Sequence, residues 1–278
     1  MISAKTSKIL CLCLSVVGLL SATGAASANV FSIDDFSIAR TRGGSTTTIF
    51  QDDFNNGVAP TNPPYFINGA VGAESNGRYR FDTATGDIFN SVGGLGQVRV
   101  ASGRFNPAVS NSATNLSVTD LFTVTGVFDL ITPNILREGY GIRLTDVGIP
   151  STNNSNDRLE LLVRRTADNL LAIQFRDSDS SLNLVTLLAG ADLDTAHEQI
   201  VLKLSKKDTA NAISASFAYR DGGVDGAFTE FLSTGTLFDG ESFTRAEFRA
   251  TAPIPLPPTI FLSLVGLAAM LAVRKFKA

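Results

Sequence analysis

A single histidine, His197, is the only imidazole that this chain offers for acid–base chemistry or metal binding. One histidine cannot build a multi-histidine metal site, although it is sufficient as a lone base. It lies in a polar stretch beside Glu198, which is typical of a solvated surface side chain. A Ser-His-Asp triad would have to use this histidine, and no Gly-x-Ser-x-Gly elbow occurs anywhere.

Paired carboxylates are the other groups that would indicate catalysis. Glycosidases need two carboxyl groups that face each other across a sugar, roughly 5–9 Å apart. The nearest arrangement, Asp157 with Glu160, has a spacing that points the two side chains to opposite faces of a strand. We therefore expect no catalytic residues and a protein that is not an enzyme.

Two sets of residues suggest ligand binding without catalysis. Asp177 and Asp179 share a predicted tight turn with two serines, and such oxygen ligands suit calcium, as do Asp221 with Asp225. A plain solvated turn is the alternative in both places, and the sequence requires no cofactor. Sugar binding usually rests on aromatic platforms, but the chain has no Trp and 4 Tyr. Tyr65, on an Asn-Pro-Pro-Tyr loop, is the candidate glycan contact, whereas Tyr219 is predicted in the core.

The charge is distributed unevenly along the 278 residues. Residues 1–28 and 251–278 contain no Asp or Glu, so all 26 acidic residues lie between them. This middle part is strongly acidic, which argues against a nucleic-acid partner because that would require a basic surface. Both cysteines, Cys11 and Cys13, lie in the first segment, so the remainder has no disulfide or thiolate chemistry.

Residues 1–28 have the pattern of a secretory signal peptide. Lys5 and Lys8 precede an apolar run, and Ala26 and Ala28 supply the small residues that a signal peptidase reads before Asn29. An uncleaved anchor helix is the alternative. The sequence therefore predicts export, with signal peptidase as a processing enzyme.

The C-terminal segment predicts a membrane anchor. A Pro-rich spacer over residues 251–258 leads into residues 259–278, which combine an apolar run with a basic end. The uncharged stretch from Leu256 to Val273 would be about 27 Å long as a helix, close to the roughly 30 Å of a bilayer core. A positive end stays in the cytoplasm, so the body is expected on the far side. The basic residues are Arg274, Lys275 and Lys277.

This tail resembles the PEP-CTERM sorting signal, and in particular its VPLPA-type variant. The motif residues are Pro253, Ile254, Pro255, Leu256, Pro257 and Pro258. The chain has Ile for the motif's Val and Pro for its final Ala, and residues 264–269 match the family's Gly-Leu-Ala-rich helix. The resemblance implies an exosortase partner and a Gram-negative bacterium with an exopolysaccharide matrix. The body would be periplasmic while anchored in the inner membrane, and then reach the cell surface or the medium. Residues 256–259 also resemble the start of a sortase LPxTG signal, but Ile260 replaces its Gly.

The middle of the chain is patterned as short strands. Apolar residues alternate over 122–130, 171–175, 200–204 and 213–219, with Gly126 in an inward place. Turn-rich stretches separate these runs, and one helical turn is predicted over 190–197. The pattern predicts an all-β, antiparallel two-sheet jelly-roll sandwich over residues 49–250, preceded by a leading strand and a Gly/Ser/Thr linker over 29–48.

The order of these elements resembles the concanavalin A-like lectin/glucanase (laminin-G-like) superfamily. The matching pieces are residues 50–54, 77–81, and 200–208 leading into 213–221. The resemblance implies a fold that hosts lectins and glycosidases, often with calcium on its loops. With the sorting tail, it favours a non-enzymatic surface protein that acts in adhesion or binds polysaccharide in a biofilm matrix. A carbohydrate-active enzyme and a ligand-free structural envelope protein remain the alternatives.

Overall fold

All strands discussed below belong to one compact unit, Asn29–Ile254. A computed structural model describes residues 30–57, 65–68, 72–74, 76–82, 87–90, 97–105, 120–146, 158–166, 168–179, 184–207, 212–232 and 243–253. The predicted signal peptide (1–28), the sorting residues from Ile254 onward and the predicted membrane helix (259–278) lie outside these residues. Within the described part of the chain, no helix is long and apolar enough to cross a bilayer.

The described residues form strands and no helix. The strands are β1 Val30–Arg42, β2 Ser45–Asp52, β3 Tyr65–Asn68, β4 Gly72–Glu74, β5 Tyr79–Asp82, β6 Asp87–Asn90, β7 Gln97–Phe105, β8 Leu121–Asp129, β9 Gly139–Asp146, β10 Arg158–Arg165, β11 Leu171–Asp179, β12 Leu184–Asp192, β13 Gln199–Lys206, β14 Ser214–Asp221, β15 Val224–Asp225, β16 Thr229–Leu232 and β17 Phe243–Pro253. The predicted runs at 122–130, 171–175, 200–204 and 213–219 correspond to β8, β11, β13 and β14. The all-β prediction is confirmed.

Two antiparallel sheets contain these strands. The nine-stranded sheet has the order β15-β14-β13-β8-β1-β5-β4, with β16 beside β14 and β2 beside β1. The eight-stranded sheet has the order β12-β11-β10-β9-β17-β7-β3, with β6 beside β7. Because the first strand β1 and the last strand β17 lie inside the sheets, both ends of the body are held by neighbouring strands on each side.

The core lies between the sheets. Phe31 and Phe36 of β1 are fully buried and contact Tyr140 of β9 and Phe248 of β17, with ring centres 4.9 Å and 5.0 Å apart. Gly126 occupies the inward place predicted for it, since a Cβ there would lie 2.7 Å from the Phe128 ring. Alternating apolar residues from both sheets thus build one aromatic-rich core.

Three boundaries differ from the predictions. Residues 43–48 are no linker: Gly43 and Gly44 adopt φ values of 58° and 80° in a hairpin turn, and β2 continues the nine-stranded sheet. The proline-containing segment also begins later than predicted, because β17 continues through Thr251 to Pro253. Residues 190–197 hold the end of β12 and a turn, in place of the predicted helical turn.

Candidate functional site

A β-bulge in β1 places two consecutive carboxylates on the outer face of the nine-stranded sheet. The register between β1 and β8 shifts between Ile33 and Asp35, so the core-facing residues change from Phe31 and Ile33 to Phe36 and Ile38. The extra residue lets Asp34 and Asp35 both line the outer surface. Bulges are common beside binding sites because they redirect side chains in this way.

Polar side chains around Asp34 are connected by hydrogen bonds at the same end of the sheet. Arg78 donates to Asp34 and, at 3.0 Å, to Asp129. The Gln199 side-chain amide donates to the same two carboxylates at 3.2 and 3.3 Å, and Ser32 donates to Asp129. The single Arg78 cation is shared by both carboxylates, and the hydrogen bonds fix the end of the sheet.

An open trough runs along the outer face from this end, and we call it the outer trough. It consists of two cavities of about 420 and 300 Å³ that share one lining residue, Lys203. Thr123, Thr125, Ser205 and Ser216 line it, and the Ser205 hydroxyl donates to Thr123 Oγ1 at 3.1 Å. The apolar side chains of Val127 and Val201 lie buried at its base. Hydroxyl-rich surfaces of this kind offer donors and acceptors to polyhydroxylated ligands.

Charged residues border the outer trough in pairs. Arg220 Nε donates to Asp225 Oδ1 at 2.6 Å, and Lys207 pairs with Glu230. Lys203 differs, because its Nζ lies over the Phe228 ring, 3.8 Å from the ring centre. Phe228 is 39% exposed, so an aromatic face stands at the edge of the trough.

Burial changes the titration of two groups in the outer trough. Desolvation raises the pKa of Asp35, and the neighbouring Asp34 adds to the shift, although hydrogen bonds from Gln51 and Ser37 oppose it. Partial burial lowers the pKa of Lys203; the charge of Asp225 opposes this shift, and the charge of Arg220 adds to it. The ammonium group of Lys203 is therefore incompletely solvated.

The outer face of the other sheet carries a charged network that we call the arginine–glutamate network: Glu160, Glu247, Arg143, Arg176 and Arg249. Their positions in β9, β10, β11 and β17 face away from the core, yet Glu160 and Arg249 are each only 6% exposed and Glu247 is fully buried. Arg249 Nη1 donates to Glu160 at 3.0 Å, and Arg143 pairs with Glu247.

The network holds Glu160 in its ionised form. Burial alone would raise the pKa of Glu160, but Arg249, Arg176, Arg143 and Arg158 together lower it to about 2. A carboxyl group of this kind has no proton to donate near neutral pH, so it cannot serve as a general acid. Burial also lowers the pKa of Arg249 to about 9, which leaves it protonated at pH 7. The network therefore has the properties of a structural ion cluster.

His197 is more restrained than the solvated side chain predicted for it. Its ring stacks on Tyr219 with centres 4.4 Å apart, and its Nδ1 lies 2.6 Å from Asp221 Oδ2. Asp221 also accepts from the Glu198 backbone N–H at 2.9 Å, and Glu198 accepts from the Gly222 backbone N–H. Tyr219 is partly buried at the edge of the core, and its hydroxyl accepts from the Asp194 backbone N–H.

The predicted calcium residues do not lie in a tight turn. Strand β11 continues through Asp177 to Asp179 and pairs with β12 up to Leu184, so both aspartates belong to a regular strand. Asp221 and Asp225 belong to a hairpin, where Asp221 bonds His197 and Asp225 bonds Arg220. Among the side chains that the structure describes, no group of three or more metal-ligating residues comes together.

Tyr65 begins strand β3, at an edge of the eight-stranded sheet, opposite Phe105 of β7. It is therefore part of a strand, and the loop prediction is wrong. Of the sorting residues, Pro253 ends β17, and Ile254 to Pro258 lie outside the described residues together with Arg274, Lys275, Lys277 and the cleavage site around Ala26, Ala28 and Asn29.

Sequence reasoning missed Lys203 and Phe228. Lys203 interrupts an apolar strand at an outward position, and Phe228 follows a Gly-Ala pair between two strands. An isolated charge in such a strand and an aromatic residue in a polar loop were the available signals. Contacts between distant positions, such as that between Arg78 and Asp129 across 51 residues, could not be predicted from the sequence.

Comparison with known proteins gives structural similarity only. No protein-family model matches the sequence, and no curated protein is similar to it. The match to a GH43_12 protein from a capybara gut metagenome covers 74% of this chain and 36% of that protein, with 10% identity and a TM-score of 0.38. A seed lectin of Lotus tetragonolobus matches 70% of this chain and 88% of its own at 10% identity and a TM-score of 0.39. The match to lectin UEA-II complexed with galactose covers 82% of this chain and 92% of that lectin, with 8% identity and a TM-score of 0.38. Because all three TM-scores are low, the two-sheet architecture rests on the strand pairing described above.

Proposed function

We propose that this chain is an exported, non-enzymatic jelly-roll protein of the concanavalin A-like kind that binds extended glycan chains in its outer trough. The observation that carries the proposal is the hydroxyl-lined surface between Asp35 and Glu230, with the exposed ring of Phe228 beside it. Threonine and serine hydroxyls hydrogen-bond sugar hydroxyls, and an aromatic ring packs against the apolar face of a sugar. A trough that is open along the sheet suits a polymer better than a small, enclosed ligand.

The separation of the carboxyl groups that line the trough bears on the choice between binding and hydrolysis. Asp35 of β1 and Arg220 with Asp225 of the β14–β15 hairpin lie on its two sides. Three strand intervals separate β1 from β14, which is roughly 14 Å of backbone spacing. A glycosidase holds its two carboxyl groups about 5–9.5 Å apart across one bond. Release of reducing ends from a bound polysaccharide would identify the carbohydrate-active alternative.

The test of binding is a pair of matched variants. Thr125→Val removes one hydroxyl from the trough and keeps the side-chain shape, whereas Thr186→Val makes the same change on exposed strand β12 of the other sheet. Affinity electrophoresis of the full chain in gels that contain plant or bacterial polysaccharides measures binding. We expect retardation of the wild type and the Thr186 variant, and weaker retardation of the Thr125 variant. Equal retardation of all three proteins would place the glycan elsewhere.

We further propose that signal peptidase and an exosortase process this protein in a Gram-negative envelope, and that the body reaches the cell surface or biofilm matrix. The basis is the signal-like N-terminus and the Pro-rich, apolar and basic C-terminus. A chain ending at Ile254 keeps all of β17, whereas one ending at Ala250 would lose three residues that pair with β7, one of which also pairs with β9. Expression of the Ile254 form should release the body from the inner membrane into the soluble fraction. Retention of that form in the inner membrane would contradict the anchor.

A further inference from the structure

Most charged side chains at the borders of the outer trough form ion pairs, whereas Lys203 contacts an aromatic ring. On its borders, Arg220 is paired with Asp225, Lys207 with Glu230, and Asp34 with Arg78. Lys203 is shared by both cavities, and no ion pair to it is found among the described residues, although the charge of Asp225 in the first cavity attracts it. Its ammonium group instead contacts the face of Phe228, which is an interaction that a stronger anionic partner would replace.

From this arrangement we infer that the outer trough selects acidic polysaccharides, with the anionic group of one sugar residue bound by Lys203. The inference rests on the proposed glycan-binding function and names its ligand class. The hydroxyls of Thr125 and Ser216 lie in the same two cavities and are placed to bond the sugar that carries the anion.

Binding of the anion would also expose an aromatic surface. In the free protein Lys203 Nζ covers the Phe228 ring at 3.8 Å from its centre. When Lys203 turns toward a carboxylate or sulfate, that ring face becomes available to the apolar face of a sugar. One side-chain movement thus couples charge recognition to stacking, whereas a neutral polymer contacts only the part of the ring that Lys203 leaves exposed.

The borders limit where the anion binds. Asp34, Asp35 and Asp53 line the β1 side of the first cavity and repel an acidic sugar there. Lys203, Lys207 and Phe228 line the second cavity, where Glu230, paired with Lys207, is the acidic side chain among the described lining residues. The acidic sugar is therefore expected in the second cavity, with an uncharged sugar toward Asp35.

The test uses two matched pairs of polymers and two matched variants of the full chain, purified in a mild detergent. The polymers are polygalacturonate with its carboxyl-reduced form, and dextran sulfate with dextran. Lys203→Gln removes the inferred contact, and Arg80→Gln removes an exposed positive charge of β5 that lines neither cavity. Calorimetry at fixed ionic strength gives the dissociation constants.

We expect at least one charged polymer to bind tenfold or more tightly than its uncharged form, and K203Q to abolish that preference while R80Q changes it less than threefold. The pair that shows the effect identifies the anionic group as carboxylate or sulfate. Equal binding of charged and uncharged forms would overturn the inference and leave glycan binding intact. Absence of binding to all four polymers, or equal losses in both variants, would overturn it as well, and the gel assay with other polysaccharides separately decides the proposed function.

Discussion

Lys203 Nζ lies 3.8 Å from the centre of the Phe228 ring, at the border between the two cavities of the outer trough. Lys203 belongs to β13, near the middle of the nine-stranded sheet, whereas Phe228 lies between β15 and β16 at its edge. Their contact holds the segment between β15 and β16 against the outer surface of the sheet. The site therefore depends on strand order, because residues 25 positions apart are brought together by the hairpin between them.

Phe228→Ala should weaken glycan binding and leave the fold intact. Phe228 is 39% exposed, so its removal costs little core packing, but it deletes the aromatic surface of the trough. We expect a fivefold to tenfold lower affinity in gel retardation with an unchanged melting temperature. Leu187→Ala, a comparably exposed side chain on β12 of the other sheet, should change neither. Loss of affinity in both variants would contradict a role for the trough.

Glu160→Gln should destabilise the body strongly near neutral pH. The substitution removes one of the two carboxylates that face the arginines of the network, including the partner of buried Arg249, and breaking a buried ion pair typically costs about 3–5 kcal/mol. Because the pKa of Glu160 falls from 4.5 to about 2 on folding, its ionised form stabilises the fold above pH 4.5. This contribution is lost as the pH falls toward 2, so the difference between wild type and variant should shrink in that window.

Urea unfolding at pH 7 and at pH 3 measures this effect. Glu230→Gln is the control, because its pair with Lys207 is exposed and screened by solvent. We expect only a small change for that variant at either pH. A Glu160 variant that is as stable as the wild type at pH 7 would show that the network contributes no net stability.

Asp35→Asn should stabilise the protein at neutral pH. Desolvation raises the pKa of Asp35 above 3.8, so the fold favours its protonated form, and stability falls as the pH rises from 3.8 through the folded-state pKa. An asparagine amide does not titrate in this range, so it removes the pH dependence of stability. It also keeps a hydrogen-bond partner for Gln51 Nε2, which lies 3.2 Å from Asp35 Oδ2. Thermal unfolding at pH 3 and pH 7 should show a gain at pH 7 only. An equal gain at both values would exclude the titration of Asp35 as its cause.

His197→Ala should raise the pKa of Asp221 toward its ordinary value of 3.8. The hydrogen bond from His197 is the largest cause of the lowered pKa of Asp221, followed by the Glu198 backbone N–H. Carboxyl-carbon NMR titration measures the change, and Glu230, whose pKa is lowered by Lys207, serves as the internal reference. A titration of Asp221 that is the same in both proteins would show that the imidazole contact is absent in solution.

Gly126→Ala should destabilise the core by about 1–3 kcal/mol, because a Cβ would lie 2.7 Å from the Phe128 ring and 2.8 Å from an Ile142 methyl group. Gly190→Ala is the matched control, since its Cβ would meet only one backbone oxygen at 3.3 Å. Urea unfolding of both variants compares them. Equal stabilities would mean that the two sheets are spaced more widely at Gly126 than described.

The sequence predicted the strands better than the site. Alternating runs located β8, β11, β13 and β14 because inward residues of a strand with one buried face must be apolar. Gly43-Gly44 was interpreted as a linker, although a Gly-Gly pair between extended segments is also a hairpin signal. Asp177 to Asp179 were interpreted as a turn because short polar residues favour turns, but pairing with two neighbouring strands outweighs that preference.

The candidate site could not be derived because it depends on register. Asp34 and Asp35 share the outer face only because of the bulge opposite β8. No local sequence pattern predicts a bulge between two aspartates. Glu160 is compensated by Arg249, 89 positions later in the chain. Such pairings follow from strand order, which residue spacing alone does not specify.

The most direct test of the central claim is an NMR titration of the uniformly labelled protein with oligosaccharides from a polymer that retards it in gels. If glycans bind in the outer trough, the amide signals of Thr123, Thr125, Lys203, Ser205 and Phe228 should shift together and saturate at one dissociation constant. The signals of Leu161 and Ile173, in the eight-stranded sheet, should stay in place. Saturable shifts confined to the eight-stranded sheet, with those of the trough unchanged, would contradict the account.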